Sequence, residues 1–286
     1  MILEALRSGL SRLRTAKRLV LVYYLVNVCF GLIIALPVWA ILDQFVGRSL
    51  MGADIADRID AHFIMELAVY IKAGMAGLVL PILFIVAIYW LVSLFMSAGA
   101  LAVLASGERY QPAVFWGAAG EFFGRFLRLA LWSLLLLAVV SLVPLLVLGL
   151  KRLIYGPDPY EYISYWGFWI GIGLALAGLF FSCIAMDYAR IQAVLTREKR
   201  MRVSLWRGIR FTLANLGGTL GLASLLLVAG AVALAIYQPL SGGLSGPTPI
   251  LVGMLFLLQQ LYVVWRMALR LTRYAAELEL YQLRET

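Results

Sequence analysis

The chain has 286 residues, of which 63% are hydrophobic and 14% are charged, and its formal net charge is +9. Ordinary soluble domains are about half apolar and about a quarter charged, because a large share of any folded surface must face water. The composition therefore excludes an ordinary soluble protein and favours one whose apolar surface is covered by a lipid bilayer.

Six segments are long and apolar enough to cross roughly 30 Å of hydrocarbon. Backbone polar groups in a bilayer must be hydrogen-bonded within the segment, which favours helices over open strands. No segment has a charged residue in its middle. We therefore predict an all-α, polytopic membrane protein that forms a single integral-membrane domain, with spans at about residues 19–42, 73–96, 126–150, 164–186, 211–237 and 250–265.

The basic residues are distributed unevenly among the segments that connect these spans. The segments on the side of the two termini hold 19 Arg and Lys residues, whereas those on the opposite side hold 5. Basic segments stay in the cytoplasm during membrane insertion. Both termini are therefore predicted to be cytoplasmic.

The longest segment on the outer side has an apolar stripe with a four-residue interval. Its members are Ile55, Ile59, Phe63, Leu67 and Ile71, and three aspartates lie opposite them. This pattern predicts an amphipathic helix over about residues 54–71, lying on the outer leaflet.

Residues 187–210 form the second cytoplasmic segment and hold seven of the basic residues. Each juxtamembrane Arg or Lys gains about 1 kcal/mol near anionic lipid, and the segment contains no recognisable nucleic-acid-binding module. We expect this loop to face anionic phospholipids rather than nucleic acid. The residues predicted to contact lipid or a partner are Arg197, Lys199, Arg200, Arg202 and Arg207.

Two cytoplasmic stretches share a pattern at a separation of ninety residues. In GERYQPAVFW (107–116) and REKRMRVSLW (197–206), a Glu precedes a basic residue, and a Trp follows the Glu by eight positions. The N-terminus is also a short basic amphipathic segment that leads into a span. The pattern favours three helical-hairpin repeats, although apolar helices also resemble one another through composition alone.

The stretch YARIQAVLTREKRMRVSLWRGIRF contains a Tyr-Ala-Arg helix, an acidic–basic turn and an amphipathic helix. Over about residues 181–220 it resembles the bacterial multi-span helical domain found fused to glycerophosphodiester phosphodiesterases and in related stand-alone membrane proteins. The phosphodiesterase catalytic domain itself is absent from the chain. The resemblance implies a multi-span domain, and with the charge bias it implies the bacterial inner membrane.

The sequence contains few residues that could carry out catalysis. The single histidine, His62, has no partner at zinc-site spacing, and the common hydrolase and nucleotide-binding motifs do not occur. Asp187 lies at a span end, where a side chain can reach the interface. We therefore predict no catalytic residue, no metal and no cofactor.

Polar and small residues within the spans or just before them favour helix packing. Gln259 and Gln260 lie near the middle of the last span, where an amide usually hydrogen-bonds to a neighbouring helix and less often lines a substrate path. Three pairs of glycines have the small-xxx-small spacing that allows close helix approach. These pairs are Gly120–Gly124, Gly167–Gly171 and Gly217–Gly221.

The last span is predicted to continue as a helix into the cytoplasm, because no Gly or Pro follows Gly253. This extension carries an apolar strip formed by Leu271, Tyr274 and Leu278. This apolar strip must be shielded from water, and two alternatives remain. It packs against the matching extension of span four, through Tyr188, Ile191 and Leu195, or it contacts lipid or a partner subunit.

These observations favour a non-catalytic scaffold or accessory subunit of a larger membrane assembly. A permease for an apolar or lipid-like solute is the alternative, since the spans have an uncharged interior. An intramembrane enzyme is less favoured than either.

Overall fold

The computed structural model describes residues 2–46, 76–156, 160–244 and 248–285, together with Met65, Val69 and Gly246. The four continuous ranges contain eight α-helices, and the described residues contain no strand, so the all-α prediction is confirmed. The helices are α1 (Ile2–Thr15), α2 (Arg18–Val46), α3 (Ala76–Ser106), α4 (Pro112–Tyr155), α5 (Glu161–Leu195), α6 (Met201–Ala214), α7 (Leu216–Gly243) and α8 (Pro249–Glu285).

Six of these helices are long and apolar enough to cross a membrane, namely α2, α3, α4, α5, α7 and α8. The number agrees with the predicted spans and supports a polytopic membrane protein. Several helices are longer than the bilayer requires: α4 has 44 residues, α5 has 35 and α8 has 37, where about 20 residues suffice to cross.

The basic segment 187–210 is mostly helical rather than a loop. Helix α5 continues to Leu195 and α6 begins at Met201, so only residues 196–200 lie outside helices. The predicted outer helix at 54–71 lies outside the described residues, except for Met65 and Val69, which are helical and exposed.

The predicted span 211–237 crosses a break in the helix at Asn215. The backbone N–H of Asn215 donates to the Phe211 carbonyl at 3.0 Å, and its side-chain amide donates to the same carbonyl at 3.1 Å. The Asn215 carbonyl then accepts from the backbone N–H of Thr219 at 3.0 Å. Local bonding of this kind by Asn competes with a continuous helix, so the fifth membrane helix starts at Leu216 instead of residue 211.

The contacts within the chain group its residues into two compact units. The first unit comprises Met1–Lys17, Ser97–Ala229 and Leu269–Thr286, and the second comprises Arg18–Met96 and Gly230–Ala268. Because α3, α7 and α8 each supply residues to both, the division does not follow helix boundaries.

The second unit contains polar contacts between helices that sequence patterns alone do not pair. The Tyr24 hydroxyl donates to Gln260 Oε1 at 2.9 Å, which joins α2 to α8. The Tyr89 hydroxyl donates to Asn27 Oδ1 at 2.7 Å, which joins α3 to α2. Hydrogen bonds between polar side chains stabilise helix association in an apolar medium, where no water competes for them.

The first unit contains most of the buried apolar side chains. They come from α1 and α6, from the first part of α4, and from the ends of α3, α5 and α8, and we call this group the extension core (residues 2–15, 97–106, 112–130, 184–195, 201–214 and 269–285). Its largest fully buried side chains are Tyr188, Tyr274, Phe115, Phe126, Leu101, Leu104, Leu129, Ile191 and Leu271.

Candidate functional site

The extension core depends on three places where helices approach so closely that a side chain would not fit. A Cβ atom at Gly9 of α1 would lie 2.6 Å from the Ala276 nitrogen of α8. One at Gly208 of α6 would lie 2.7 Å from the Ala185 carbonyl of α5, and one at Gly99 of α3 would lie 2.7 Å from the Phe115 carbonyl of α4. The first two contacts bring a short helix against the end of a long one, and the third brings the start of α4 against the end of α3.

A buried cluster of charges joins α5 to α8 inside this core. Asp187 Oδ1 accepts from Arg190 at 3.0 Å, and Asp187 Oδ2 pairs with Arg273 Nη2 at 3.2 Å. Arg273 Nε also lies 3.9 Å from Glu277 Oε1. The carboxylate of Asp187 thus lies between two guanidinium groups, which offset the cost of burying its charge.

The structure corrects the interpretation of Asp187 as a side chain that reaches the interface at a span end. Asp187 is 5% exposed, and its partner Arg273 lies 86 positions further along the chain. The exposed edge of a helix would leave the carboxylate in water. Here the close packing of α5 and α8 buries it between two arginines instead.

A second ionic contact joins α1, α3 and α8. The Arg12 guanidinium pairs with Glu279 and donates to Gln282 Oε1 at 2.8 Å and to the Leu104 carbonyl at 3.2 Å. The rigid fork of an arginine can satisfy several acceptors at once. This single side chain therefore fixes the N-terminal helix against the ends of two others.

Aromatic rings fill the space beside the charge cluster. Phe211 lies 4.9 Å from Tyr188 and 4.6 Å from Tyr281, measured between ring centroids. The Tyr188 hydroxyl and Glu277 Oε2 are buried without a hydrogen-bond partner among the described residues. The rings join α5, α6 and α8 into one packed group.

The strip on the extension of α8 is covered by the chain itself. Leu271, Tyr274 and Leu278 are all buried, as are Tyr188 and Ile191 of α5, whereas Leu195 is exposed. The three strip residues therefore do not contact lipid or a partner, and the internal alternative describes this part of the chain.

The five basic residues predicted to contact lipid or a partner are all exposed, but they do not form one group. The side-chain amide of Gln192 is oriented so that both of its polar atoms are hydrogen-bonded. Its oxygen accepts from Arg207 Nη1 at 3.0 Å, and its nitrogen donates to the Ser204 carbonyl at 3.2 Å. Arg197, with φ at +50°, supplies the carbonyl that accepts from Arg125 at 3.2 Å. These two positions therefore help to fix the turn before α6.

Glu198 orders the rest of that turn. Its Oε1 atom accepts from the backbone N–H groups of Lys199 at 2.9 Å and Arg200 at 3.1 Å. The hydrogen bond from the Arg200 backbone N–H is the main reason why the pKa of Glu198 lies below its ordinary value. The turn is thus held by a carboxylate that favours its charged form.

The remaining three basic residues line a cavity of about 570 Å³ that is open to the surface. One wall is formed by the turn and the start of α6, and the other by one face of α4. The lining residues are Arg128, Leu131, Trp132, Leu135, Lys199, Arg200, Met201 and Arg202. Sequence reasoning did not assign Arg128 to a site, although Arg128, Leu131, Trp132 and Leu135 have the helical spacing that places them on one face.

The two midplane glutamines have different surroundings. Gln260 accepts the hydrogen bond from Tyr24, as expected of an amide within a span, whereas Gln259 is exposed.

The glycine pairs with small-xxx-small spacing also differ in their surroundings. A Cβ atom at Gly171 would lie 3.4 Å from Pro144 of α4, so Gly167–Gly171 packs within the chain. Cβ atoms at Gly120 and Gly124 would have no atom of another element within 4 Å.

Within the described ranges, no group of three or more His, Cys, Asp or Glu side chains could hold a metal ion. Comparison with protein-family models, with curated proteins and with solved structures finds no match. The class that the fold defines is an all-helical chain with six helices able to cross a membrane. The described chemistry consists of ion pairs, aromatic packing and one cationic cavity.

Proposed function

We propose that this protein is a non-catalytic, multi-pass protein of the bacterial inner membrane that acts as a scaffold or accessory subunit of a larger membrane assembly. The proposal includes the resemblance of residues 181–220 to the helical domain found fused to glycerophosphodiester phosphodiesterases. In this reading the extension core is the rigid part of the molecule, and the sides of the spans are available to other subunits.

The observation that carries the proposal is the difference between two glycine pairs with the same spacing. Gly167–Gly171 of α5 is in contact with α4, whereas Gly120–Gly124 of α4 is exposed and has nothing within 4 Å. The pair lies just before the predicted span at about 126–150, and small residues at this spacing let a neighbouring helix approach closely. The uncovered pair therefore supports an intermolecular helix contact on α4.

The test is the mass of the protein solubilised from its native membrane in a mild detergent. Substitutions Gly120→Leu and Gly124→Leu should release partner subunits and lower the mass. Gly149→Leu is the matched control, since Gly149 lies on the same helix, is exposed and also has nothing within 4 Å. A wild-type mass equal to that of one chain in detergent would contradict the scaffold proposal.

The proposed orientation places both termini and the segment 187–210 in the cytoplasm, supported by the 19-to-5 distribution of basic residues. In a variant without Cys29 and Cys183, a cysteine at Lys199 should react with an impermeant thiol reagent only after lysis. A cysteine at Tyr160 should react in intact cells. Both positions are exposed, so the opposite labelling pattern would reverse the orientation.

We also propose that the chain consists of three helical hairpins, each introduced by an amphipathic segment. The close contacts at Gly9, Gly99 and Gly208 support this, because each lies between an introducing segment and the end of a long helix. Sequence similarity contributes less, since it rests on two ten-residue stretches.

The permease alternative is supported by an apolar cavity of about 260 Å³ between α4 and α5. It is lined mainly by aliphatic side chains, and Lys151 donates to Ser164 at 3.3 Å at its edge. Uptake of an apolar solute by liposomes that contain the purified protein, abolished by Gly171→Leu, would favour the permease over the scaffold.

A further inference from the structure

We propose that the cavity between α4 and the start of α6 is a specific binding site for one anionic phospholipid. The site is formed by the cations Arg128, Lys199, Arg200 and Arg202, with Leu131, Trp132 and Leu135 on its apolar wall. This assigns a ligand to a particular concave site, and it goes beyond the general attraction of a basic segment to a membrane.

The cavity carries a concentration of positive charge. Four cationic side chains line a single cavity, and none of them belongs to an ion pair of the described residues. The nearest acidic residue in sequence, Glu198, accepts from the backbone N–H groups of Lys199 and Arg200 and also attracts the Arg200 side chain, but its single charge leaves the four cations with an excess of positive charge. Like charges held together without an anion repel one another, so the arrangement is stabilised when a phosphate group is bound.

The polar and apolar residues of the cavity wall lie at different levels along the axis of α4. Arg128 and Leu135 lie seven residues apart on one face of α4, which separates them by about 10 Å along the helix axis. Arg128 stands at the start of the predicted span, and Leu131, Trp132 and Leu135 follow within it. A phospholipid has the same order of groups, with its phosphate at the headgroup level and its acyl chains below.

The apolar wall of the cavity distinguishes a phospholipid from a free anion that could bind to the same cations. A free phosphate would bind to the arginines but would leave the apolar wall uncovered. Trp132 and the two leucines are exposed, and tryptophan favours the level of the lipid headgroups. The combination of four cations with this wall therefore favours a lipid, and the orientation of α6, whose first residue is Met201, adds the positive end of a helix dipole.

The experiment is native mass spectrometry of the full chain in detergent, titrated with dioleoylphosphatidylglycerol or with dioleoylphosphatidylcholine. One phosphatidylglycerol should bind tightly, and phosphatidylcholine should bind more weakly. The double variant Arg128→Gln/Arg200→Gln should weaken phosphatidylglycerol binding by about thirtyfold, because each juxtamembrane cation accounts for about a fivefold gain.

The matched control is Arg109→Gln/Arg210→Gln, which removes the same charge from two exposed positions outside the cavity. It should change the affinity by less than about twofold, since exposed charges that do not touch the lipid are screened by salt. Equal losses in the two double variants would overturn the proposal in favour of non-specific surface attraction. Equal binding of the two lipids would overturn it as well.

Two further variants separate a lipid from a free anion and guard against an effect on folding. Trp132→Ala/Leu135→Ala should weaken phosphatidylglycerol binding while the four cations remain, and unchanged binding would overturn the assignment of a lipid. Arg128→Lys/Arg200→Lys keeps both charges and should retain most of the binding, so its loss would show that the glutamine variant reports on structure and not on charge.

Discussion

The two parts of helix α8 show how differently this chain treats its apolar side chains. Leu257, within the span, is 67% exposed, whereas Leu271, in the extension core, is 0% exposed. Both are leucines on one continuous helix of 37 residues. In the span the apolar surface is left for the bilayer, while in the extension the chain must bury it against its own helices.

The same difference holds for the other long helices. In the most apolar window of α4, none of the residues is buried, and in that of α8 only 6% are buried. The buried large side chains of α4, such as Phe115 and Phe126, lie near its N-terminal end. Stability that comes from the hydrophobic effect in water should therefore be concentrated in the extension core, since apolar lipid gives no such driving force between helices.

The largest expected effect comes from truncating matched leucines on α8. Leu271→Ala should lower the free energy of unfolding by about 4 kcal/mol, because it leaves a cavity among fully buried neighbours. Leu257→Ala removes the same atoms from a surface exposed in the span and should cost less than about 1 kcal/mol. SDS-induced unfolding in mixed micelles measures both, and similar losses would mean that the spans are packed as tightly as the extension core.

The next effect in size comes from the buried charge cluster. Asp187→Asn should destabilise the protein by about 3 kcal/mol, because it leaves Arg190 and Arg273 without their shared carboxylate. This loss is at the lower end of the range for breaking a buried ion pair, because the Arg273 side chain is 39% exposed. Glu121→Gln is the control. It breaks a more exposed i,i+4 pair with Arg125 at 3.6 Å and should cost about 0.5 kcal/mol or less. Equal effects would show that Asp187 is hydrated rather than buried.

How much of this could be predicted from the sequence differs between the two regions. The spans follow from hydropathy, because a bilayer imposes the same length and composition on every helix that crosses it. The continuation of α8 follows from the absence of helix-breaking residues after Gly253. The sequence leaves two alternatives for the apolar strip of this extension, and the packed structure, in which Leu271, Tyr274 and Leu278 are buried within the chain, separates them.

The contacts inside the extension core could not be predicted in the same way. Asp187 and Arg273 are far apart in sequence, and nothing local identifies them as partners. Gly208 has no special backbone dihedral to mark it, and its importance comes from the Ala185 and Ala189 backbone that lies against it. The cavity lining depends likewise on α4 lying beside the start of α6, which places Arg128 and Arg200 in the lining of one cavity.

A smaller effect is expected from adding one methyl group at a close helix contact. Gly208→Ala would place its Cβ 2.7 Å from two backbone atoms of α5, and overpacking of this kind costs about 2 kcal/mol. Gly149→Ala adds the same group where nothing lies within 4 Å, and it should be neutral or stabilising by up to about 1 kcal/mol, since alanine favours a helix more than glycine does. If both variants unfold at the same SDS concentration, α6 does not pack on α5 as described.

The smallest effect is expected at the exposed edge of the extension core, in the turn held by Glu198. The pKa of this carboxyl is lowered in the folded protein below its ordinary value of 4.5, mainly by the Arg200 backbone N–H. Because the folded pKa is depressed, the ordering of the turn is present above the unfolded pKa and is lost as the pH falls through the folded pKa. Hydrogen exchange of the Lys199 and Arg200 amides measures this ordering, with Glu198→Ala as the reference that lacks the acceptor. The protection of wild type relative to this variant should fall from about pH 6 to about pH 3, while amides of the buried Ile191 segment keep theirs. Protection that stays constant over this range would show that the carboxylate does not hold the turn, and that the edge of the core is fixed by helix packing alone.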